Sequence, residues 1–296
     1  ASELDALSQI ASALSKTAQV AIRINPDVDA GTIAQISTGK AENKFGIAYE
    51  AAADLFRHAQ ALPGVEPVGI AVHIGSQITN LQPYRDAFHR VRELYESLTA
   101  EGLPLQRIDL GGGLGITYRD EQPPSVAAYA AMVREVFHGL DAQFVFEPGR
   151  RIAGPAGVLV TRVITEKQTA TKRFVIVDAA MNDLIRPALY DAYHPIQPET
   201  APGPEVEWTP ADLVGPICES TDRFAADRAL PPLQTDDMLV IGAAGAYAAV
   251  MGSEYNGRPR APEVLVRGAD WSVVRRRPTY EEMLAAQTLP PWLEEA

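Results

Sequence analysis

One cysteine, Cys218, in 296 residues cannot form an intrachain disulfide, which excludes a disulfide-stapled secreted fold. Basic residues are also short: the formal net charge is −12 and no basic run stands out. A nucleic-acid partner needs a basic face, so that class is excluded. Long apolar runs are missing. The longest, Met238 to Gly252, is glycine-rich and falls short of the ~20 residues a membrane helix needs. Glu3 and Asp5 stand where a secretory signal would carry basic residues, so no signal peptide is read. There is no internal repeat. These absences predict a soluble cytoplasmic protein without a membrane partner. With 46% apolar residues, the chain can bury a large core or form two domains.

What is present divides near residue 153. The first part alternates helical and strand-like patterns. Ser2-x-x-Asp5 reads as a capping box ahead of Leu4, Leu7, Ile10 and Leu14 at helical spacing. Strands are expected at Val20–Asn25, Gly69–Ile74, Arg107–Leu110 and Phe144–Phe146, with helices over Glu50–Leu62, Pro83–Ala100 and Ser125–Leu140. Repeated βα units imply a parallel sheet. After Pro155 the pattern turns to strands at Val158–Thr165, Arg173–Val177, Met238–Ile241 and Glu263–Val266. Local helices are expected near Asn182–Leu189 and Tyr280–Gln287, and a proline-rich surface loop around Pro195–Pro210. The expected fold class is α/β plus β: residues 1–153 carry a parallel sheet, closed as a barrel or doubly wound, and 154–296 form a mainly β domain.

Glycine and polar residues gather where the strands of the first part end: Arg23 to Asp27, His73 to Ser76, Asp109 to Gly115 and Glu147 to Arg150. In a (β/α) barrel that face carries the site. Gly111–Gly113 can bring backbone N–H groups close to a phosphate, or can simply make a tight βα turn. It is not the G-x-G-x-x-G pattern of dinucleotide sites. Glu147 can keep a heterocyclic nitrogen protonated and Arg150 can grip a phosphate or carboxylate; the alternative is a structural ion pair. A histidine ending so apolar a strand as His73 does is, taken alone, more often a hydrogen-bonded core residue than a catalytic one. Cys218, next to Glu219 in a polar loop, is a candidate proton donor or an inert thiol.

Taken in order, the motifs RINPDVDAG, STGKAENKFGI, HIGSQ, DLGGGLGI, EPGR, MNDLIRPALYDAYHP, GPICESTD, GAYAAVMGSEYN and RPRAPEVLV resemble the fold-type III, alanine-racemase-like pyridoxal-phosphate decarboxylases nearly end to end. The resemblance implies a TIM-like barrel plus a β domain, pyridoxal 5'-phosphate as cofactor, and a homodimer with shared active sites. It places His73 against the pyridoxal ring. Ser76, Gly111, Gly112 and Gly113 fall at the phosphate, and Glu147, Pro148, Gly149 and Arg150 around the ring and phosphate. Arg150, Arg186 and Tyr190 would meet the substrate's distal carboxylate. Cys218 would return a proton to the substrate carbon, Glu219 would bind the distal ammonium, and Tyr247 would touch cofactor and substrate. No metal is implied. The branch implied converts meso-diaminopimelate to L-lysine and CO2. Ornithine-, arginine- and carboxynorspermidine-type branches are rivals; in the ornithine type the cysteine is followed by Asp, and here Glu219 follows.

The family's cofactor lysine lies in a motif resembling Val-Lys-Ala-Asn on an early barrel strand. This chain has only Lys16, Lys40, Lys44, Lys167 and Lys172, none in that context. The resemblance therefore makes residues 1–153 a partial (β/α) barrel, its C-terminal half, beginning past the lysine strand and inactive alone. A fragment that binds cofactor or a partner without turnover is the reading from a different class.

Overall fold

The computed structural model describes residues 1–31, 38–39 and 44–294. Part of the STGKAENKFGI motif, with Lys40, lies outside the described residues. The chain divides into two compact units, Ala1–Ile152 and Ala153–Ala296. No helix among the described residues is long and apolar enough to cross a membrane.

The first unit is α1 (Ser2–Ala13), β1 (Ala18–Asn25), β2 (Ile47–Ala48), α2 (Ala52–Ala61), β3 (Val65–Val72), α3 (Gln82–Ala100), β4 (Arg107–Asp109), α4 (Val126–Val136) and β5 (Gln143–Val145). Its sheet runs β2-β1-β3-β4-β5, and every pairing is parallel. From Val68 to Val72, β3 reads as an unbroken apolar run because both of its faces are covered there. On α3, Tyr84, Phe88, Val91, Leu94, Tyr95 and Leu98 recur every three or four residues, and all are buried. Phe88 packs against Tyr84, Tyr129 and Phe137 with ring centroids 5.7, 6.3 and 5.7 Å apart, locking α3 to α4. The expected capping box does not form. Ser2 already lies in the helix, Ala1 takes the cap position, and a cap needs its side chain one residue earlier.

After α5 (Gly149–Ala153), the second unit holds β6 (Leu159–Gln168), β7 (Arg173–Val177), α6 (Arg186–Tyr190), β8 (Ile196–Pro198), β9 (Thr209–Val214), β10 (Arg223–Leu230) and β11 (Met238–Ile241). A hairpin of β12 (Glu263–Arg267) and β13 (Asp270–Arg275) follows, then α7 (Tyr280–Leu284) and α8 (Pro291–Glu294). The main sheet runs β10-β9-β7-β6-β11-β8, antiparallel except for β7 with β9. Val163, Val175, Leu213, Leu239 and Ile241 form its buried face. The expected proline-rich loop holds β8 and the start of β9. Prolines are tolerated there because Pro198 sits in the outermost strand and Pro210 beside the start of β9.

Candidate functional site

In the first unit the glycine turn is built by backbone crowding. Gly111 and Gly113 have φ of +64° and +94°, a region that costs an L-residue strain. A Cβ on Gly112 would drive into the Glu147 carbonyl, and one on Gly113 into the Gly75 carbonyl. The turn is then stitched to its neighbours. Glu147 N–H donates to the Gly111 carbonyl at 2.7 Å and Ile78 N–H to that of Gly113 at 2.9 Å. Gly111 N–H donates to Asp109 Oδ1 at 2.9 Å. From the core, the Tyr84 hydroxyl donates to the Gly112 carbonyl at 3.0 Å.

His73 follows the last residue of β3 and faces this turn. Gly112 N–H donates to His73 Nδ1 at 3.1 Å, so Nδ1 is the unprotonated nitrogen. Burial, and secondarily Arg23, hold the imidazole below the usual histidine range, while Asp109 opposes them. The ring is therefore neutral at pH 7, with its proton on Nε2. The His73 carbonyl accepts from Thr38 Oγ1 at 2.6 Å and from Arg23 Nη2 at 3.2 Å. Arg23 also feels Glu147 and Asp109, so the ends of β1, β4 and β5 share one electrostatic corner.

Gly149 N–H donates back to the Glu147 carbonyl at 2.9 Å, which folds EPGR into one turn. That turn leaves Glu147 exposed and sends Arg150 inward to 6% exposure. Arg150 donates to Ser76 Oγ from Nε and Nη2 at 3.2 and 3.1 Å, and to the Tyr118 hydroxyl at 2.5 Å. Thus His73, Ser76, Gly111–Gly113, Glu147, Pro148, Gly149 and Arg150 converge on one end of one sheet.

The remaining candidates lie in the second unit. Arg186 opens α6 and is buried. Tyr190 is half-buried at the helix's other end, before Asp191 at φ +50°. Arg186 Nη1 lies 2.8 Å from His194 Nε2. Cys218 is exposed on the 215–222 loop, which is tied down by the buried Asp222. The Asp222 carboxylate accepts Ile217 N–H at 2.8 Å and Met181 N–H at 2.7 Å. Glu219 accepts from the Tyr255 hydroxyl at 2.7 Å and from Thr221, and these bonds hold its carboxyl below the usual range. Tyr247 sits at φ +56°, an outlier for a bulky residue and a mark of local strain.

Sequence reasoning passed over Arg23, Tyr84, Tyr118, His194, Asp222 and Tyr255. All but Tyr84 and Tyr118 lie inside the quoted motifs; only their spatial partners reveal what they hold.

Residues 1–154 match the family model described as the pyridoxal binding domain of pyridoxal-dependent decarboxylases. Over 294 residues the chain is 46% identical to the diaminopimelate decarboxylase of Zymomonas mobilis, spanning 99% of this chain and 69% of that one. It is 49% identical over 293 residues to that of Pseudomonas aeruginosa, spanning 98% and 69%. Among solved structures, Helicobacter pylori diaminopimelate decarboxylase complexed with L-lysine superposes with a TM-score of 0.91 at 41% identity, covering 99% of this chain and 71% of that one.

Proposed function

The chain belongs to the pyridoxal-dependent decarboxylases, and from that premise we propose that it acts on meso-diaminopimelate, releasing CO2 and leaving L-lysine. The observation that carries this is 46% identity, across 99% of the chain, to a protein named for that reaction. The cofactor is pyridoxal 5'-phosphate.

The donor set of the first unit fits that group. A phosphate ester wants N–H and O–H donors beside a cation, and Ser76, the glycine turn and the buried Arg150 supply them. A pyridine ring wants a flat neutral face and a carboxylate at its nitrogen, and His73 and Glu147 supply those. When bound, the cofactor is the electron sink for the pair left by departing CO2. The chain's own residues do the rest. The Gly112 N–H fixes the plane of the His73 ring, and Tyr84 fixes Gly112. Arg186 and Tyr190 take the distal carboxylate, Glu219 the distal ammonium, and Tyr247 packs beside the substrate. Cys218 Sγ returns the proton to the substrate carbon. In a homodimer, Cys218 and Glu219 serve the partner's site.

The five-stranded unit is read as the later part of a TIM-like barrel. Among the described residues β5 pairs on one side only, with β4. Along it runs an apolar cavity of about 410 Å³, lined by Phe144, Phe146, Val126, Tyr129 and Pro148. The same cavity is bordered by Gly111, Gly112, Gly113 and Gly149, so it opens beside the residues proposed to hold the cofactor. The setting is a cytoplasmic biosynthetic enzyme.

The test is kcat/KM for meso-diaminopimelate, L-lysine and L-ornithine with pyridoxal phosphate supplied, on the chain joined to a barrel segment that carries the family's cofactor lysine. A site built around a distal carboxylate should prefer diaminopimelate by on the order of 10⁴. Comparable values for ornithine would refute the assignment.

A further inference from the structure

His194 takes no part in the reaction described above, yet it is completely buried and polar on both ring nitrogens. Its Nδ1 lies 2.9 Å from the Gly242 carbonyl oxygen, which can only accept. Nδ1 therefore carries a proton. Its Nε2 lies 2.8 Å from Nη1 of Arg186, which can only donate. Nε2 therefore carries none. The two contacts together leave one species, a neutral imidazole protonated at Nδ1. A doubly protonated ring would set two cations donor to donor at hydrogen-bond distance.

The histidine is itself held on several sides. Arg228 Nη1 donates to the His194 carbonyl at 2.9 Å, and the same guanidinium stacks on the Tyr193 ring at 4.0 Å. Gly242 N–H donates to the Pro195 carbonyl at 2.8 Å, so the acceptor for Nδ1 is anchored through the residue next to His194. The imidazole is a rigid, correctly protonated acceptor pressed against one arm of a buried guanidinium. A guanidinium is planar, so fixing one of its nitrogens fixes the plane and the direction of the whole fork.

We propose that His194 is the positioning residue that aims the Arg186 fork at the substrate's distal carboxylate, and so sets the preference for substrates that carry this group. This rests on the reading of Arg186 given under the proposed function. The orientation is paid for when the chain folds, so none of it is charged against binding.

The experiment compares His194→Leu, which removes the acceptor, with His194→Gln, whose amide oxygen can take the place of Nε2. The ligands are L-lysine, which bound as product keeps the carboxylate distal to the carbon that lost CO2, and cadaverine, which lacks it. His194→Leu should weaken L-lysine binding by about 10- to 100-fold, the value of one hydrogen bond to a charged group. Cadaverine binding should stay within a few-fold, and kcat should change less than KM. His194→Gln should recover most of the L-lysine affinity. Equal losses for both ligands, or no loss for either, overturn the proposal.

Arg186→Met separates this from the parent reading. If Arg186→Met leaves the preference for L-lysine over cadaverine intact, the assignment of Arg186 falls. If Arg186→Met abolishes the preference and His194→Leu does not, Arg186 stands and His194 is only structural. Should His194→Leu fail to fold, ¹⁵N NMR of the unaltered protein decides. Nδ1 protonated and Nε2 bare at pH 7 supports the proposal; a proton on Nε2 overturns it.

Discussion

The glycine turn at Gly111–Gly113 and the Cys218 loop at 215–222 are both sharp, polar and functional by assignment, but they are held by opposite means. The turn is fixed by main chain against main chain: carbonyls of Val72, Gly75 and Glu147 occupy the space a Cβ would need. The loop is fixed by one side chain. Asp222 reaches back to Ile217 N–H within the loop and to Met181 N–H outside it. A site fixed by backbone tolerates no added atom. A site fixed by a carboxylate tolerates additions and fails when that carboxylate is lost.

The largest expected effect tests the first half of this contrast. Gly113→Ala places a Cβ against the Gly75 carbonyl and demands φ of +94° from an L-residue. The Gly75 carbonyl is main chain rather than a flexible side-chain end, so the clash cannot relax cheaply. A loss on the order of 3–5 kcal/mol is expected, the range reserved for overpacking combined with backbone strain. Urea unfolding with hydrogen exchange resolved by unit should show the loss in residues 1–152. A loss under about 1 kcal/mol would show that the turn has room to move.

Next in size is Asp222→Ala, which sharpens the other half. It strands two N–H groups, one of them on the buried Ile217, each worth about 1–3 kcal/mol when left unsatisfied. Met181 is only partly buried and its N–H can regain water, so the second unit should lose about 2–4 kcal/mol rather than the full sum. Cys218 is the chain's only thiol, so its rate of reaction with a thiol reagent reads the loop directly. That rate should change in Asp222→Ala and stay near normal in Gly113→Ala molecules that remain folded. An unchanged rate in Asp222→Ala would mean that other contacts set the loop.

The same contrast explains what the sequence made legible. Four strands of the parallel sheet, β1, β3, β4 and β5, were read to within a few residues because each ends at glycine or a polar residue, while the two-residue β2 went unread. The ends of those four carry the proposed site, so His73, Gly111–Gly113 and Arg150 could be named with them. In the second unit β9 and β10 went unread. β10 pairs with β9 through two register shifts and has Asp227 at φ +46°, which destroys the alternation a strand is recognised by. β9 buries Asp212, and its carboxylate is satisfied there by Lys172 Nζ at 2.9 Å and by Asp227 N–H at 2.9 Å. Likewise nothing local distinguishes His194 or Asp222 from other motif residues. Their roles depend on partners up to 48 positions away, and a linear pattern does not hold that information.

The smallest expected effect is a pH dependence of opposite sign in the two units. In the first, burial holds His73 below the usual histidine range, so the folded state prefers the neutral ring. The unfolded chain protonates first as pH falls, near 6.5, and binds more protons than the folded state below that point. The His73 contribution is therefore complete above about 6.5 and is lost as pH drops through the folded value. In the second unit, burial holds the Asp183 and Asp222 carboxyls above the usual range despite their backbone hydrogen bonds, and the charge of Asp183 adds to the rise at Asp222. Here the folded state keeps its protons longer than the unfolded chain does. Their contribution is complete below the ordinary carboxylate value of about 4 and is lost as pH rises from there through the raised folded values. Hydrogen exchange measured from pH 4 to 8, corrected for intrinsic rates, separates the two. Opening free energies in residues 1–152 should rise with pH toward neutrality, and the part that vanishes in His73→Gln is the part owed to the ring. Those around Met181 and Ile217 should fall over the acidic end of the range, and that fall should disappear in Asp222→Asn. A single slope shared by both units would mean that net charge, and not these buried groups, governs the dependence.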